Sequence, residues 1–231
     1  MDANIQAAAA RLVRKLKEGG LSITVAESCT GGLLASTLTD ITGASGWFRQ
    51  SWVTYANDAK IEVLGVNADD LNARGAVSAK VAIQMAQGAL KAANADYAIS
   101  VTGIAGPTNE GSSKPVGTVY VGIASEFWAE AKRTQIGGTR SENKNGFVHF
   151  ALRTAMECFE AAMSREKAEG IQAELAELEA ERKKAELEAE RERRDQEARE
   201  NAPWQDEAWS KEDGEQGDEI GLEVEWNESE E

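Results

Sequence analysis

The chain has 231 residues, enough for one ample core and an appendage, and its formal charge of −15 belongs wholly to its C-terminal part: positions 1–163 hold 15 acidic and 15 basic residues, positions 164–231 hold 25 and 10. A neutral body with an acidic tail excludes binding along a nucleic-acid backbone, which needs a basic face. Two lone cysteines, Cys29 and Cys158, form neither a disulfide framework nor a zinc-site spacing, and no apolar run approaches the ~18 residues of a membrane span, so a cytosolic, reduced protein with no membrane contact is expected.

The N-terminal stretch "MDANIQAAAARLVRKLKEGG" reads as an amphipathic helix through Ile5, Leu12, Val13 and Leu16. Its charges come too early for a signal-peptide core, and Gly19-Gly20 marks its end. "LSITVA" (21–26) has the β-branched look of a buried strand, and "TGGLLASTLTDI" fits a helix from about Thr30. "SWVTYA" (51–56) reads as a second strand, "DAKIEVLG" as a short helix, and "SAKVAIQMAQGALKAA" as a longer one capped by Ser78. "DYAISVTGIAGP" runs from a strand into a glycine loop, and "VGTVYVGIAS" with "EFWAEAKRTQI" forms a hairpin. From about Arg140 the chain turns helical again. Strands separated by helices, with one adjacent pair, predict an α/β fold: a three-layer α/β/α domain on a mixed sheet over residues 1–163.

Residues 164–200 are mostly Glu, Ala, Arg and Lys, the composition of a long charged helix, with Glu179–Lys183, Glu190–Arg194 and Asp195–Arg199 as i,i+4 pairs. Ile171, Leu175 and Leu178 begin a heptad-like seam that then meets Arg182, Ala185 and Ala189, too little for a sustained coiled coil, so a single helix is expected. Residues 201–231 are acidic, contain Pro203 and are expected to be disordered. Trp204, Trp209 and Trp226 interrupt that acidity, as in a segment that docks on a protein partner; a merely solubilising tail has the same composition.

The stretch "TVAESCTGGLLA" sets two nucleophiles side by side, Ser28 and Cys29, where a central strand meets a helix start. That is the ligand-binding edge of an open α/β sheet, and a helix start offers free N–H groups to a phosphate or an oxyanion. Ser or Thr there also serves as a plain helix cap. A hydroxyl needs a base. The only histidine, His149, lies in a C-terminal helix and makes a poor triad member. Lys60, just after the second strand, is the other candidate, since desolvation lowers a lysine pKa. Thr102, Gly103, Gly106 and Pro107 form a loop able to wrap a ligand, and Arg140 can grip a phosphate or carboxylate in bidentate fashion.

"AESCTGG", "VTYANDAK", "GAVS", "SVTGIAGP" and "KPVGTVYVG", in this order and spacing, resemble the CinA C-terminal domain family, in its stand-alone amidase branch, over residues 5–162. The resemblance implies hydrolysis of the carboxamide of nicotinamide mononucleotide to nicotinic acid mononucleotide and ammonia, by a Ser/Lys mechanism without metal or cofactor, in a homo-oligomer. Carried onto this chain, it makes Ser28 the nucleophile and Lys60 its base. Tyr55 and Thr102 then support the pair or the substrate amide, and Arg140 holds the charged nucleotide. Thr30, Gly31 and Gly32 are candidates for backbone N–H contacts on physical grounds, and Ser45 is a minor candidate for a ligand or subunit contact. Cys29 is expected to lie buried behind Ser28, with a cysteine mechanism as the alternative. Relatives commonly carry an aspartate before the arginine and a second arginine four residues after it; here Thr139 and Lys144 stand there, which bears on phosphate affinity and substrate choice. The other readings are a nucleotide-binding module without turnover and an amidase for another small carboxamide.

Overall fold

The computed structural model describes residues 2–109 and 111–201, so the acidic stretch expected to be disordered lies, from residue 202 on, outside the described residues. The chain divides into a compact unit, Met1–Ala168, and a second unit beginning at Glu169. In the first unit the elements run α1 (Ala3–Gly19), β1 (Ile23–Glu27), α2 (Leu33–Thr39), a short 3-10 turn (Ala44–Gly46), β2 (Phe48–Val53), α3 (Asn57–Leu64), α4 (Ala68–Arg74), α5 (Ala79–Ala93), β3 (Tyr97–Gly103), β4 (Thr118–Ala124), β5 (Ala129–Gln135) and the start of α6 (Arg140–Glu200).

The five strands form one sheet in the order β2-β1-β3-β4-β5. The first three are mutually parallel, with Ile23 opposite Tyr97 and Glu27 opposite Val101, whereas β3–β4 and β4–β5 pair antiparallel. The mixed α/β/α architecture expected from the element order is the one observed.

Alternation along the strands sorts the helices into two layers. Ile23, Val25, Ile99, Val101, Val119, Val121 and Ile123 face one side and pack with Leu12 and Leu16 of α1, Leu34 and Leu38 of α2 and Phe147 and Leu152 of α6. Ala26, Ala98 and Ala124 face the other, against Leu64, Leu71, Val81 and Met85 of α3, α4 and α5. Small residues on that face let α5 approach closely: a Cβ on Gly122 would stand 2.4 Å from the Ala82 carbonyl oxygen.

In several places the structure differs from what the sequence predicts. The second strand begins at Phe48 and ends at Val53; residues 54–56 leave the sheet because their carbonyls turn to the Lys60 ammonium. The helix expected from Thr30 begins at Leu33. Helix α4 had no reading from the sequence; Asn67 starts it by accepting from the Asp70 N–H at 2.9 Å. Helix α6 spans Arg140–Glu200 as one element, in keeping with the helix-forming Glu, Ala, Arg and Lys of residues 164–200. In its distal part the i,i+4 ion pair formed is Arg182–Glu186 at 3.0 Å, not any of the three expected. Among the described residues no helix is long and apolar enough to cross a membrane.

Candidate active site

The C-terminal ends of β1 and β3 lie side by side, and the Ser28 N–H donates to the Val101 carbonyl at 3.0 Å, extending that pairing by one residue. From there the chain must reverse direction within four residues to enter α2. Gly31 and Gly32 do this with φ of +64° and +93°, a region that side chains disfavour. Gly32 is the N-cap of α2 and has no side chain to cap with.

The cap comes from Glu27, which is fully buried. Its Oε2 accepts from the N–H groups of Gly32 (3.0 Å) and Leu34 (3.1 Å), and its Oε1 from Ala35 (2.7 Å). Three charge-assisted bonds and the positive end of a helix offset the cost of burying the carboxylate. The helix start expected to hold a ligand anion therefore holds the protein's own carboxylate. The Gly31 N–H, in turn, donates to the Ser28 carbonyl at 3.1 Å. Of the three residues expected to offer N–H groups, Thr30 alone keeps one without an acceptor.

Because Glu27 caps the helix, Ser28 is not needed for that task. Its Oγ takes no hydrogen bond within the described residues, and the residue is only 8% exposed. Cys29 is buried beside it, and burial, with the Glu27 charge adding to it, pushes the thiol up to about 12. A thiol held there stays protonated at neutral pH and is a poor nucleophile.

Lys60, on α3, is a fully buried cation. Its Nζ donates to the carbonyls of Thr54 (2.9 Å), Tyr55 (3.0 Å) and, more weakly, Ala56 (3.5 Å). Burial moves its pKa below the ordinary 10.5. The Thr54 backbone links the two halves of the site: its carbonyl holds Lys60 while its N–H holds Glu27, the residue before Ser28. No direct hydrogen bond joins Ser28 to Lys60 among the described residues. The buried hydroxyls of Thr30 and Thr54, one on each segment, have no partner.

The rim is built differently. Arg140, the first residue of α6, donates to the Gly106 carbonyl and, at 2.7 Å, to the Tyr55 hydroxyl, tying the two loops together across an exposed surface. The Thr102 hydroxyl is turned away to the Ala76 carbonyl (2.8 Å), so it secures the "GAVS" segment. Gly103 ends β3 where a side chain would come within 2.7 Å of the Thr118 carbonyl oxygen. His149 and Ser45 bond to none of these residues; Ser45 is exposed in the 3-10 turn. No group of three or more His, Cys, Asp or Glu side chains among the described residues is placed to hold a metal.

Three residues escaped the sequence reading or were undervalued in it. Glu27 lies just past the strand predicted over 21–26, and its residue type and spacing alone point to no role. Asn143 is fully buried and donates to the carbonyls of Ala105 and Gly138, both at 3.1 Å, which fixes the loop around Arg140. Lys144 departs from the arginine its relatives commonly carry; its Nζ lies 3.6 Å from where a Cβ on Gly31 would project, so it overlooks the turn, and it forms no ion pair among the described residues. The one available signal was its spacing, four residues and one helical turn from Arg140.

The family model of the CinA C-terminal domain matches residues 5–159. The chain is 52% identical over 147 residues to the CinA-like protein of Chlorobium limicola, covering 62% of this chain and 34% of that protein. It spans about a third of the length of that relative and of the competence-damage inducible protein of Caldicellulosiruptor saccharolyticus. It is 42% identical over 159 residues to the nicotinamide-nucleotide amidohydrolase PncC of Escherichia coli, covering 68% of this chain and 96% of that protein. The crystal structure of the competence/damage inducible protein CihA from Agrobacterium tumefaciens superposes with a TM-score of 0.66 at 38% identity, over 68% of this chain and 96% of that one. With the matched residues holding every strand of the sheet and the whole of the Ser28–Lys60 site, the chain belongs to the CinA C-terminal domain family.

Proposed function

We propose that this protein is a nicotinamide-nucleotide amidohydrolase that converts nicotinamide mononucleotide to nicotinic acid mononucleotide and ammonia, with Ser28 as nucleophile and Lys60 as its general base. The substrate class comes from the name of the Escherichia coli relative, matched over nearly its whole length. The observation that carries the mechanism is a buried lysine of lowered pKa bonded to the Thr54 carbonyl, while the N–H of Thr54 holds Glu27, next in sequence to Ser28 with its unbonded hydroxyl.

The neutral amine of Lys60 keeps two N–H donors, enough for its two shorter contacts at 2.9 and 3.0 Å. Giving up the 3.5 Å contact to Ala56 frees its lone pair. Nζ takes the Ser28 proton as Oγ adds to the carboxamide carbon, and the oxyanion is met by the Thr30 N–H. The Lys60 ammonium then protonates the departing nitrogen, the C–N bond breaks, and ammonia leaves an acyl ester on Ser28. Water gives a proton to Lys60 and adds to the ester carbon. Oγ leaves with that proton, and the product carboxylate forms. Arg140 and Lys144 face the substrate phosphate. The raised thiol of Cys29 argues against a cysteine mechanism.

The test is ammonia release from nicotinamide mononucleotide by the full chain and its Ser28→Ala, Cys29→Ala and Lys60→Ala variants. The expected outcome is turnover by the parent and by Cys29→Ala, and none by the other two. Mononucleotide binding without ammonia release would instead mark a nucleotide-binding module. Equal release from the riboside lacking phosphate would move the proposal to another small carboxamide.

A further inference from the structure

We infer that the part of α6 beyond Ala168 is a docking surface for a basic amphipathic helix, and that it is built against pairing with a second copy of itself. Ile171, Leu175 and Leu178 are among the large apolar side chains left exposed, at 49%, 54% and 56%. Their spacing of four and three residues places them on one stripe of the helix. In heptad terms Ile171 and Leu178 take d and Leu175 takes a, with Arg182, Ala185 and Ala189 continuing the seam. The alanines are small positions that leave room for bulky side chains from a partner.

The flanks decide what that partner is. From 172 to 188 the e and g positions are Gln172, Glu174, Glu179, Glu181, Glu186 and Glu188, with no Lys or Arg among them. In a parallel pair of copies each g residue faces the e residue of the next heptad, which sets Glu174 against Glu179 and Glu181 against Glu186 on both sides of the seam. An antiparallel pair sets g against g and e against e, which is again acidic against acidic. Like charges beside a short apolar seam oppose self-association. The same flanks attract a helix that carries leucines or isoleucines on its seam and lysines or arginines beside it. The basic residues Lys183 and Lys184 fall at b and c, away from the contact, and Arg182 at a pairs with Glu186 at 3.0 Å, so the unpaired acidic flank is Glu174, Glu179 and Glu181. This inference is independent of the proposed amidase chemistry.

The test uses the full chain and a synthetic three-heptad peptide with Leu at a and d and Lys at e and g, beside a matched peptide with Glu at e and g. The Lys-flanked peptide is expected to bind at least about tenfold more tightly than the Glu-flanked one, with affinity falling as salt is raised. Leu175→Asp should abolish that binding. The triple variant Glu174→Lys, Glu179→Lys, Glu181→Lys should transfer the preference to the Glu-flanked peptide. Binding that survives both sets of substitutions would be simple attraction to the acidic C-terminal residues and would overturn the inference. So would equal binding or no binding of the two peptides, or self-association of the protein that Leu175→Asp removes.

Discussion

In the turn after β1 the carboxylate of Glu27 is fully buried and accepts three backbone N–H groups, whereas on the distal part of α6 the carboxylate of Glu186 meets Arg182 at 3.0 Å with both side chains well exposed. The two are the same chemical group in opposite solvents. A buried carboxylate has to be matched bond for bond, so it fixes the backbone around it and leaves Ser28 free. An exposed one is screened by water and holds nothing in place, but many together govern which charged surface can approach. The buried charge of Glu27 therefore builds geometry, and partner preference is the role inferred above for the exposed charges of the second unit.

The sharpest way to break this contrast is at the buried cation. Lys60→Met should lower turnover by about 10³-fold, within the usual range for loss of a general base. In the parent, kcat/KM should rise with pH as Lys60 loses its proton, at a value below the ordinary 10.5 because burial disfavours the charged form. The linked stability has the same sign. Between the lowered folded-state value and 10.5 the unfolded chain binds more protons, so this residue's contribution to stability increases with pH across that window. An acid limb at or above 10.5 would show that Lys60 is not the base.

Next in size is Glu27→Gln. The amide would turn its NH₂ toward a helix start made of N–H donors, and a loss of about 2–4 kcal/mol in urea unfolding is expected. A loss no larger than that of a surface pair would remove the distinction drawn between the two regions. On the rim, Arg140→Ala and Lys144→Ala should each raise KM for the mononucleotide by about tenfold while leaving kcat nearly unchanged, since a phosphate contact acts equally in ground and transition states. For Arg140 part of the loss would come from its bonds to Gly106 and Tyr55, whereas Lys144 has no such ties, so Lys144→Ala is the cleaner measurement. The smallest effect belongs to the distal helix: Glu186→Ala should change unfolding free energy by less than about 0.5 kcal/mol and leave ammonia release untouched.

Much of the fold was legible in the sequence because local pattern and tertiary role agreed. Gly20, at φ +64°, ends α1 as a glycine at that point should, and the Ser78 side chain accepts from the Val81 N–H to start α5. The β-branched run before Ser28 and the apolar alternation of the late hairpin became β1, β4 and β5. Expectation failed where a distant group overrode the local signal. Residues 54–56 look like strand, yet their carbonyls are drawn to the Lys60 ammonium. Thr30 looks like a helix start, yet the turn continues to Gly32 because Glu27 reaches forward to cap the helix from the preceding strand.

The sequence by itself determined the family, the order and type of the main elements, the candidate pair Ser28 and Lys60, and the change of character after the body, since each is written in residue type and spacing along the chain. Only the tertiary structure showed how deeply Cys29 is buried beside Glu27, which is what raises its thiol pKa. It alone gave the helix start to Glu27, withdrew the Gly31 and Gly32 N–H groups from ligand binding, and brought Lys144 over the turn. Desolvation and hydrogen-bond competition act between residues far apart in sequence, and neither is visible until the chain has closed on itself.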